Sequence, residues 1–419
     1  FTGTMTAATI NATTLQQGGT AVSLSGHTHD ASAITTGTLP VTRGGTGTTT
    51  STGTGSLVLS ADPTFTGTVT ATGNLNVGTV SAPGYISAGN LGMFRNRIIN
   101  GDMRIDQRNS GAVVNNVTGV YTIDRFVVYK NGGATLNVGQ SNINYAINGF
   151  KYALGTTVGT ASTAISAADY YTIAYQNIEG LNISDLQWGT PNAQTITVSF
   201  WFRSSVNQTY YLSVRNTGST RSYVGGFSAS STWQLQTFTI PGDTTGTWAV
   251  DNTTGLQVGI FTAVGSTYST STGWAWISGN YLGWTGNTNT FIATSGNSAL
   301  ITGLQLEKGT IATPFEFRPY QTELQLCQRY YEILISEVVT ASHGITYYIS
   351  GGGPARNTSL VYRVIKRSTT TVDKGSVVGV NCTASFVVNP DILYVSTTWG
   401  SAVGFYYNIT SPLAVVSEL

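Results

Sequence analysis

Charged side chains are scarce in this sequence. Only 9% of its 419 residues are Asp, Glu, Lys or Arg, and the formal net charge is +1, whereas globular domains carry about 25% charged residues. Affinity for phosphate backbones comes from dense Lys and Arg, so the composition argues against nucleic acid as a partner. No apolar run approaches the ~18 residues of a membrane-spanning helix, so we expect no membrane insertion.

Cysteine is almost absent as well. Cys327 and Cys382 are the only two in the chain, which excludes a disulfide-stapled scaffold. The chain is rich enough in apolar residues for a sizeable core, because 40% of its residues are hydrophobic and 11% are aromatic. The composition therefore predicts an all-β protein that is polar without being charged.

Residues 1–90 carry three charged side chains and no Lys, Glu or Trp. So few large apolar residues cannot close a core within one chain. Yet the segment FTGTMTA at 1–7 recurs as FTGTVTA at 65–71, and such self-similarity indicates a repeated structural unit. Identical chains around a threefold axis could share one thin core. We therefore predict an extended homotrimeric shaft at 1–90, with a plain Thr/Gly linker as the alternative.

Residues 91–320 hold most of the aromatic side chains and clear strand patterns. The segment TITVSFWFR at 195–203 alternates strictly, so Ile196, Val198 and Phe200 face one side and Trp201 the other. Short strands separated by Gly-, Asn- and Pro-rich turns are typical of a β-sandwich or jelly roll. We predict one such domain over 91–320.

One short helix is predicted, at 321–332. Thr322 could cap its first turn, with Gln325 completing a capping box. Leu324 and Cys327 fall on one face, through which the helix could bundle with its copies.

Strand patterns return after the helix, for example ITYYI at 345–349 and LVYRVI at 360–365. About 85 residues suffice for one small β domain, so we predict a distal β tip domain at 333–419. Loops at a rigid end commonly carry recognition, and the receptor-reading surface is expected there.

Four aromatic residues, Trp274, Trp276, Tyr281 and Trp284, cluster within eleven positions and are surrounded by glycine. By strand spacing, Trp274 and Trp276 share one face. Exposed rings of this kind stack on sugar faces, so the cluster is a candidate carbohydrate-binding platform. The alternative is core packing, since buried Trp is normal in a sandwich.

Scarce charges are expected to be paired with one another. Such a structural ion-pair group is predicted at the start of the sandwich, from Arg97, Arg104, Asp106, Asp124 and Arg125. No catalytic residue is assigned, because neither a Gly-x-Ser-x-Gly elbow nor a Cys/His frame appears.

Several motifs taken together resemble the tail fibres of tailed bacteriophages. Shaft-like repeats are GHTHDASAI at 26–34, GTLPVTRGGTG at 37–47 and ADPTFTGTV at 61–69. Motifs similar to a carbohydrate-binding-like jelly roll of phage fibres are NRIINGDM at 96–103, YTIDRF at 121–126, QNIEGL at 176–181, GLQLEKG at 303–309, PFEFRPY at 314–320 and CQRYY at 327–331. The resemblance covers residues 1 to about 332.

The pair His27 and His29 is the strongest chemical signal in the shaft. Residues i and i+2 of a strand project to the same face, so three chains could supply six imidazoles around one axis. Six imidazoles suit an octahedral transition metal, such as Fe(II), Zn or Ni. The resemblance implies Fe(II) first, because phage long tail fibres use this spacing to hold iron. Two solvated histidines in a polar loop are the alternative.

The resemblance implies a non-enzymatic fibre of the virion tail that adheres to the host cell surface. Its expected partners are two further copies, other phage tail or baseplate proteins, and a bacterial surface glycan of lipopolysaccharide or capsule. Two alternatives remain open: a tailspike-type polysaccharide depolymerase, which would need two carboxylates about 5–9 Å apart, and a purely structural connector.

Overall fold

The computed structural model divides the chain into two units, Phe1–Tyr85 and Ile86–Leu419. The residues described are 16–17, 20–21, 94–147, 149–287, 289–335, 346–347, 356–368, 371–374, 377–380, 383–388, 392–398, 405–409 and 413–418. In the first unit these are the strands β1 (Gln16–Gln17) and β2 (Thr20–Ala21), which pair antiparallel. The shaft repeats, His27, His29 and Cys382 lie outside the described residues.

The second unit is almost entirely β, which confirms the predicted fold class. Its first part contains β3 (Val120–Ile123), β4 (Phe126–Val128), β5 (Lys130–Asn131), β6 (Leu136–Ile147), β7 (Phe150–Val158), β8 (Tyr170–Glu179), β9 (Ile196–Ser204), β10 (Thr209–Asn216), β11 (Arg221–Ser228), β12 (Gln234–Ile240), β13 (Thr254–Val264), β14 (Ser269–Thr270), β15 (Trp276–Ser278), β16 (Gly283–Trp284) and β17 (Ser298–Lys308).

These strands form two packed antiparallel sheets. The larger sheet has the order β15-β11-β10-β13-β8-β4-β3, with β5 beside β8. The smaller sheet has the order β12-β9-β17-β7-β6. The short strands β14 and β16 pair parallel to each other.

Strand β9 shows why the two sheets face each other. Ile196, Val198, Phe200 and Phe202 are fully buried, whereas Trp201 is half-buried on the opposite face. The predicted alternation is confirmed. Each large side chain removed from water in this way contributes about 1.5–3 kcal/mol.

The one α-helix among the described residues, α1, runs over Tyr320–Gln328. The predicted capping box is wrong: the helix begins at Tyr320, Pro319 occupies the cap position, and no side chain caps it. Of the two residues expected to bundle the helix with its copies, Cys327 cannot do so, whereas bundling through the half-buried Leu324 stays a prediction. Cys327 is fully buried in its own chain, packed with Ile99, Ile105 and Tyr330. No described helix is long and apolar enough to cross a membrane.

Strands follow the helix: β18 (Tyr331–Ile335), β19 (Thr346–Tyr347), β20 (Arg356–Val361), β21 (Thr371–Lys374), β22 (Val377–Val380), β23 (Thr383–Val388), β24 (Ile392–Thr398), β25 (Phe405–Ile409) and β26 (Leu413–Val416). They form three three-stranded sheets with the orders β18-β26-β21, β19-β25-β22 and β20-β24-β23. Because β26 pairs with β18, directly after the helix, the first and last strands of this region lie side by side.

The expected ion-pair group at the start of the sandwich does not form. Its members pair with other residues: Arg97 with Asp185 at 2.8 Å, Arg104 with Asp102 at 3.1 Å, and Arg125 with Glu418. Asp106 instead accepts from the backbone N–H groups of Asn109 and Gly111. Charges are paired as expected, but mainly with residues distant in sequence, which local reasoning could not identify.

Candidate functional site

The outer face of the larger sheet carries a second apolar cluster, separate from the core between the sheets. Strand alternation produces it: along β10, Tyr210 and Leu212 point into the core, while Tyr211 and Arg215 point outward. The buried members are Val127, Tyr175, Tyr211, Val224, Phe261, Val264 and Leu282. The half-buried rim consists of Tyr121, Tyr129, Tyr170, Tyr268, Tyr281 and Trp284.

A groove of about 210 Å³ opens within this cluster. One wall of the groove is the larger sheet. The other wall is formed by the segment at 265–287, which crosses over the groove. Its lining consists of Tyr129, Tyr170, Thr172, Tyr175, Arg215, Ser219, Gln257, Phe261, Tyr268, Asn280 and Leu282. Ligand pockets commonly measure ~300–1,000 Å³, so this groove suits a group the size of one sugar ring.

Gly259 shapes the floor of the groove. A Cβ at this position would lie 2.6 Å from Cε2 of Phe261 and 2.7 Å from Cδ2 of Tyr175. Both rings therefore occupy the space that any other residue would fill. The aromatic floor depends on glycine at this point of β13.

The tyrosine rings lie edge to face. The ring centroids of Tyr129 and Tyr175 are 5.3 Å apart at 89°, and those of Tyr170 and Tyr268 are 5.3 Å apart at 86°. Burial raises the pKa of Tyr129 and of Tyr170, and raises the pKa of Tyr175 to about 12. These hydroxyls therefore stay neutral at physiological pH and can both donate and accept hydrogen bonds.

Two polar side chains complete the groove. Arg215 donates to the hydroxyl of Tyr175 at 2.9 Å and to Oδ1 of Asn280. Gln257 donates through Nε2 to Oδ1 of Asn177 at 3.3 Å. Nε of Arg215 and Oε1 of Gln257 are buried and have no hydrogen-bond partner within the described chain. These two atoms are thus buried and unsatisfied beside the aromatic walls.

The sequence-predicted aromatic platform is divided in the structure. Trp276 lies in β15, packs against Trp188 and Trp248 at 5.2 and 5.4 Å, and donates through Nε1 to the carbonyl of Pro241 at 2.6 Å. Trp274 precedes that strand in a left-handed conformation with φ of 61°. Strand alternation does not extend through this residue, so the spacing argument for a shared strand face of Trp274 and Trp276 does not apply.

Of the other three members, Tyr281 and Trp284 belong to the rim of the outer cluster, whereas Trp274 packs against a core residue. Trp274 is 51% exposed and stacks on Phe238 at 5.6 Å, with 17° between the rings. Trp284 packs edge-on against Tyr211 at 5.8 Å. Tyr281 belongs to the rim, and its carbonyl accepts from the hydroxyl of Ser213 at 2.7 Å. Their role in binding carbohydrate stays a prediction.

Most of the groove was missed by reasoning on the sequence. Its tyrosines come from β8, from the segment before β5 and from the crossing segment, so no window of sequence brings them together. A weak signal existed: the chain contains 22 tyrosines, and the tyrosine hydroxyl favours positions where one end of the side chain is apolar and the other is wet.

Comparison with known proteins identifies only distant structural likenesses. No protein-family model and no curated protein matches the chain. Among solved structures it is similar to the enzymatically active domain of tailspike protein 4 of bacteriophage CBA120, with 10% identity and a TM-score of 0.28 over 51% of this chain and 22% of that chain.

Carbohydrate-binding modules are also among the similar structures. TmCBM61 in complex with β-1,4-galactotriose shows 12% identity and a TM-score of 0.26 over 51% of this chain and 99% of that chain. The family 11 module of Clostridium thermocellum Lic26A-Cel5E shows 9% identity and a TM-score of 0.25 over 49% and 99%. At this distance the likenesses carry no argument about what this chain binds.

Proposed function

We propose that this chain is a bacteriophage tail fibre that adheres to the host surface by binding a glycan in the tyrosine-walled groove of its larger sheet. The observation that carries the proposal is the groove itself, in which neutral tyrosine hydroxyls adjoin aromatic walls. The shaft repeats and jelly-roll motifs of the sequence support the phage assignment.

The groove has the chemistry that sugar recognition requires. The C–H faces of a pyranose pack on aromatic rings, here offered by Tyr170 and Tyr268. Sugar hydroxyls donate as well as accept hydrogen bonds, and the neutral tyrosine hydroxyls of the groove can do both in return. Weak single-site binding would gain avidity if three copies present the groove together.

The direct test is binding of the full chain to an array of lipopolysaccharide and capsule oligosaccharides. Tyr170→Ala and Tyr268→Ala should each weaken binding to any glycan retained by the wild-type chain. Tyr145→Ala is the matched control, because Tyr145 is 59% exposed on β6 of the other sheet. Binding that survives both groove substitutions would contradict this placement of the site.

Two further assays separate the adhesin from its alternatives. Incubation with host polysaccharide should leave the polymer length unchanged, and shortening would instead establish a depolymerase. The purified chain should also block phage adsorption in competition. A chain that binds no glycan and blocks no adsorption would be a structural connector.

The homotrimeric shaft and its metal are proposed on sequence alone. Fe(II), with Zn or Ni as alternatives, would be held by His27 and His29 of three chains. This proposal is independent of the groove, and its test is given below.

A further inference from the structure

Arg215 differs from every other buried arginine of the described chain. Three arginines are buried among the residues that the structure describes: Arg125, Arg215 and Arg318. Arg125 pairs with Glu418, and Arg318 pairs with Glu323 at 3.1 Å. Arg215 is 8% exposed, and no carboxylate of the described residues lies within 4 Å of it.

The groups that surround the guanidinium are all neutral. It contacts the hydroxyl of Tyr175, Oδ1 of Asn280 and, at 3.5 Å, the hydroxyl of Ser219. Burying a cation without a counter-charge is costly, so an isolated buried guanidinium in a native fold requires an explanation.

The groove around Arg215 supplies that explanation. No Asp or Glu is among the residues that line it, so Arg215 is its one charged side chain. The planar guanidinium group of arginine can donate two parallel hydrogen bonds to a carboxylate or phosphate group. Such charge-assisted hydrogen bonds are about twice as strong as neutral ones. The groove therefore holds one positive charge without a counter-charge, and one anionic group of a ligand would neutralise it.

We propose that the groove selects an anionic saccharide, a sugar that bears a carboxylate or phosphate, and that this group pairs with Arg215 while the ring lies against the tyrosines. This inference rests on the proposed glycan-binding function and deepens it by naming the class of sugar.

Titration calorimetry of the full chain with three probes tests the proposal: oligogalacturonate, its fully methyl-esterified form, and a phosphorylated oligomannose. The ester has the same skeleton as the acid without the charge. At least one anionic probe should bind about 10- to 100-fold more tightly than the ester, and added salt should weaken it. The anionic probe that binds distinguishes carboxylate from phosphate as the source.

Two substitutions assign the effect to Arg215. Arg215→Gln should remove the preference for the anionic probe, and Arg215→Lys should retain part of it. The control is Arg203→Gln, because Arg203 is a half-buried arginine of β9 in the other sheet, 5.2 Å from the ring centroid of Trp233. It should leave the preference unchanged.

The outcomes separate the two proposals. If the ester or other neutral glycans bind as tightly as the acid, or if Arg215→Gln keeps the preference, the anionic assignment is overturned while glycan binding stands. If no saccharide binds, both fail. Should Arg215→Gln not fold, the comparison of acid with ester on the wild-type chain decides alone.

Discussion

Arg125 and Glu418 form a buried salt bridge although 293 positions separate them in the sequence. Arg125 is 1% exposed, and its guanidinium lies 3.6 Å from the ring centroid of Tyr330. Arg108 contacts the same carboxylate at 2.5 Å. The segment after β26 is thereby fastened to the sandwich by one carboxylate shared between two arginines.

We expect Glu418→Gln to be strongly destabilising, because it leaves a buried Arg125 without its counter-charge. Removing one partner of a buried pair costs ~3–5 kcal/mol. Lys308→Gln is the control: Lys308 and Asp185 are 3.8 Å apart and both well exposed, and such pairs contribute ~0–1 kcal/mol. Denaturant unfolding measures the free energy of unfolding of both variants. Equal losses of stability would contradict the larger contribution expected of the buried pair of Arg125 with Glu418.

A second prediction concerns the pH dependence of stability. Burial raises the pKa of Asp124 from its ordinary 3.8 to about 7. Between about pH 4 and pH 7 the folded chain keeps this proton while the unfolded chain loses it, so this group lowers the free energy of unfolding as pH rises. Asp124→Asn should therefore flatten the pH profile in that window.

The control for this experiment is Asp251→Asn. Hydrogen bonds from Thr253 lower the pKa of the exposed Asp251, so its contribution is lost only as the pH falls below about 4. It should not alter the slope between pH 4 and pH 7. An unchanged slope in Asp124→Asn would show that Asp124 is ionised in the folded chain across this range.

Gly259→Ala should damage both the groove and the stability of the sheet. The new methyl group would meet Phe261 and Tyr175 at under 3 Å, and overpacking of this kind costs ~1–3 kcal/mol. Gly218→Ala is the matched control, since its Cβ would meet nothing closer than 3.6 Å. Glycan affinity and thermal unfolding are the two readouts, and a Gly259→Ala chain that matches the control in both would exclude this role of the aromatic floor.

The two tryptophans predicted to act together should behave differently. Trp276 packs in a cluster of three indoles, so Trp276→Ala should cost ~3–5 kcal/mol of stability. Trp274 is half exposed, so Trp274→Ala should cost little stability but weaken glycan binding about three- to tenfold if its ring stacks on sugar. Unchanged glycan affinity in Trp274→Ala would remove this residue from the binding surface.

The metal prediction is tested by elemental analysis of the native assembly. A trimer with one octahedral site should contain one transition metal per three chains, and His27→Ala with His29→Ala should lose it. Native mass measured on the same sample tests the trimer separately. A monomeric mass would contradict the shaft and the avidity argument together.

Local patterns predicted much of the sandwich. Alternation in β9 placed Phe200 inside and Trp201 outside, because side chains of a strand point to opposite faces at every step. The same rule does not apply at Trp274, which precedes β15 in a left-handed conformation. It also could not find the partners of Arg97 or Arg125, since ion pairs form wherever the fold brings charges together.

By itself, the sequence determined that the chain is all-β, that the charge-poor 1–90 stretch repeats, and which faces of strands such as β9 are apolar. Only the tertiary structure decided that Tyr129, Tyr175, Arg215 and Tyr268 would meet in one groove. The physical reason is the distance along the sequence over which each feature is determined. Alternation is a property of neighbouring residues, whereas strand order and the course of the 265–287 segment result from burying apolar faces against partners far along the chain.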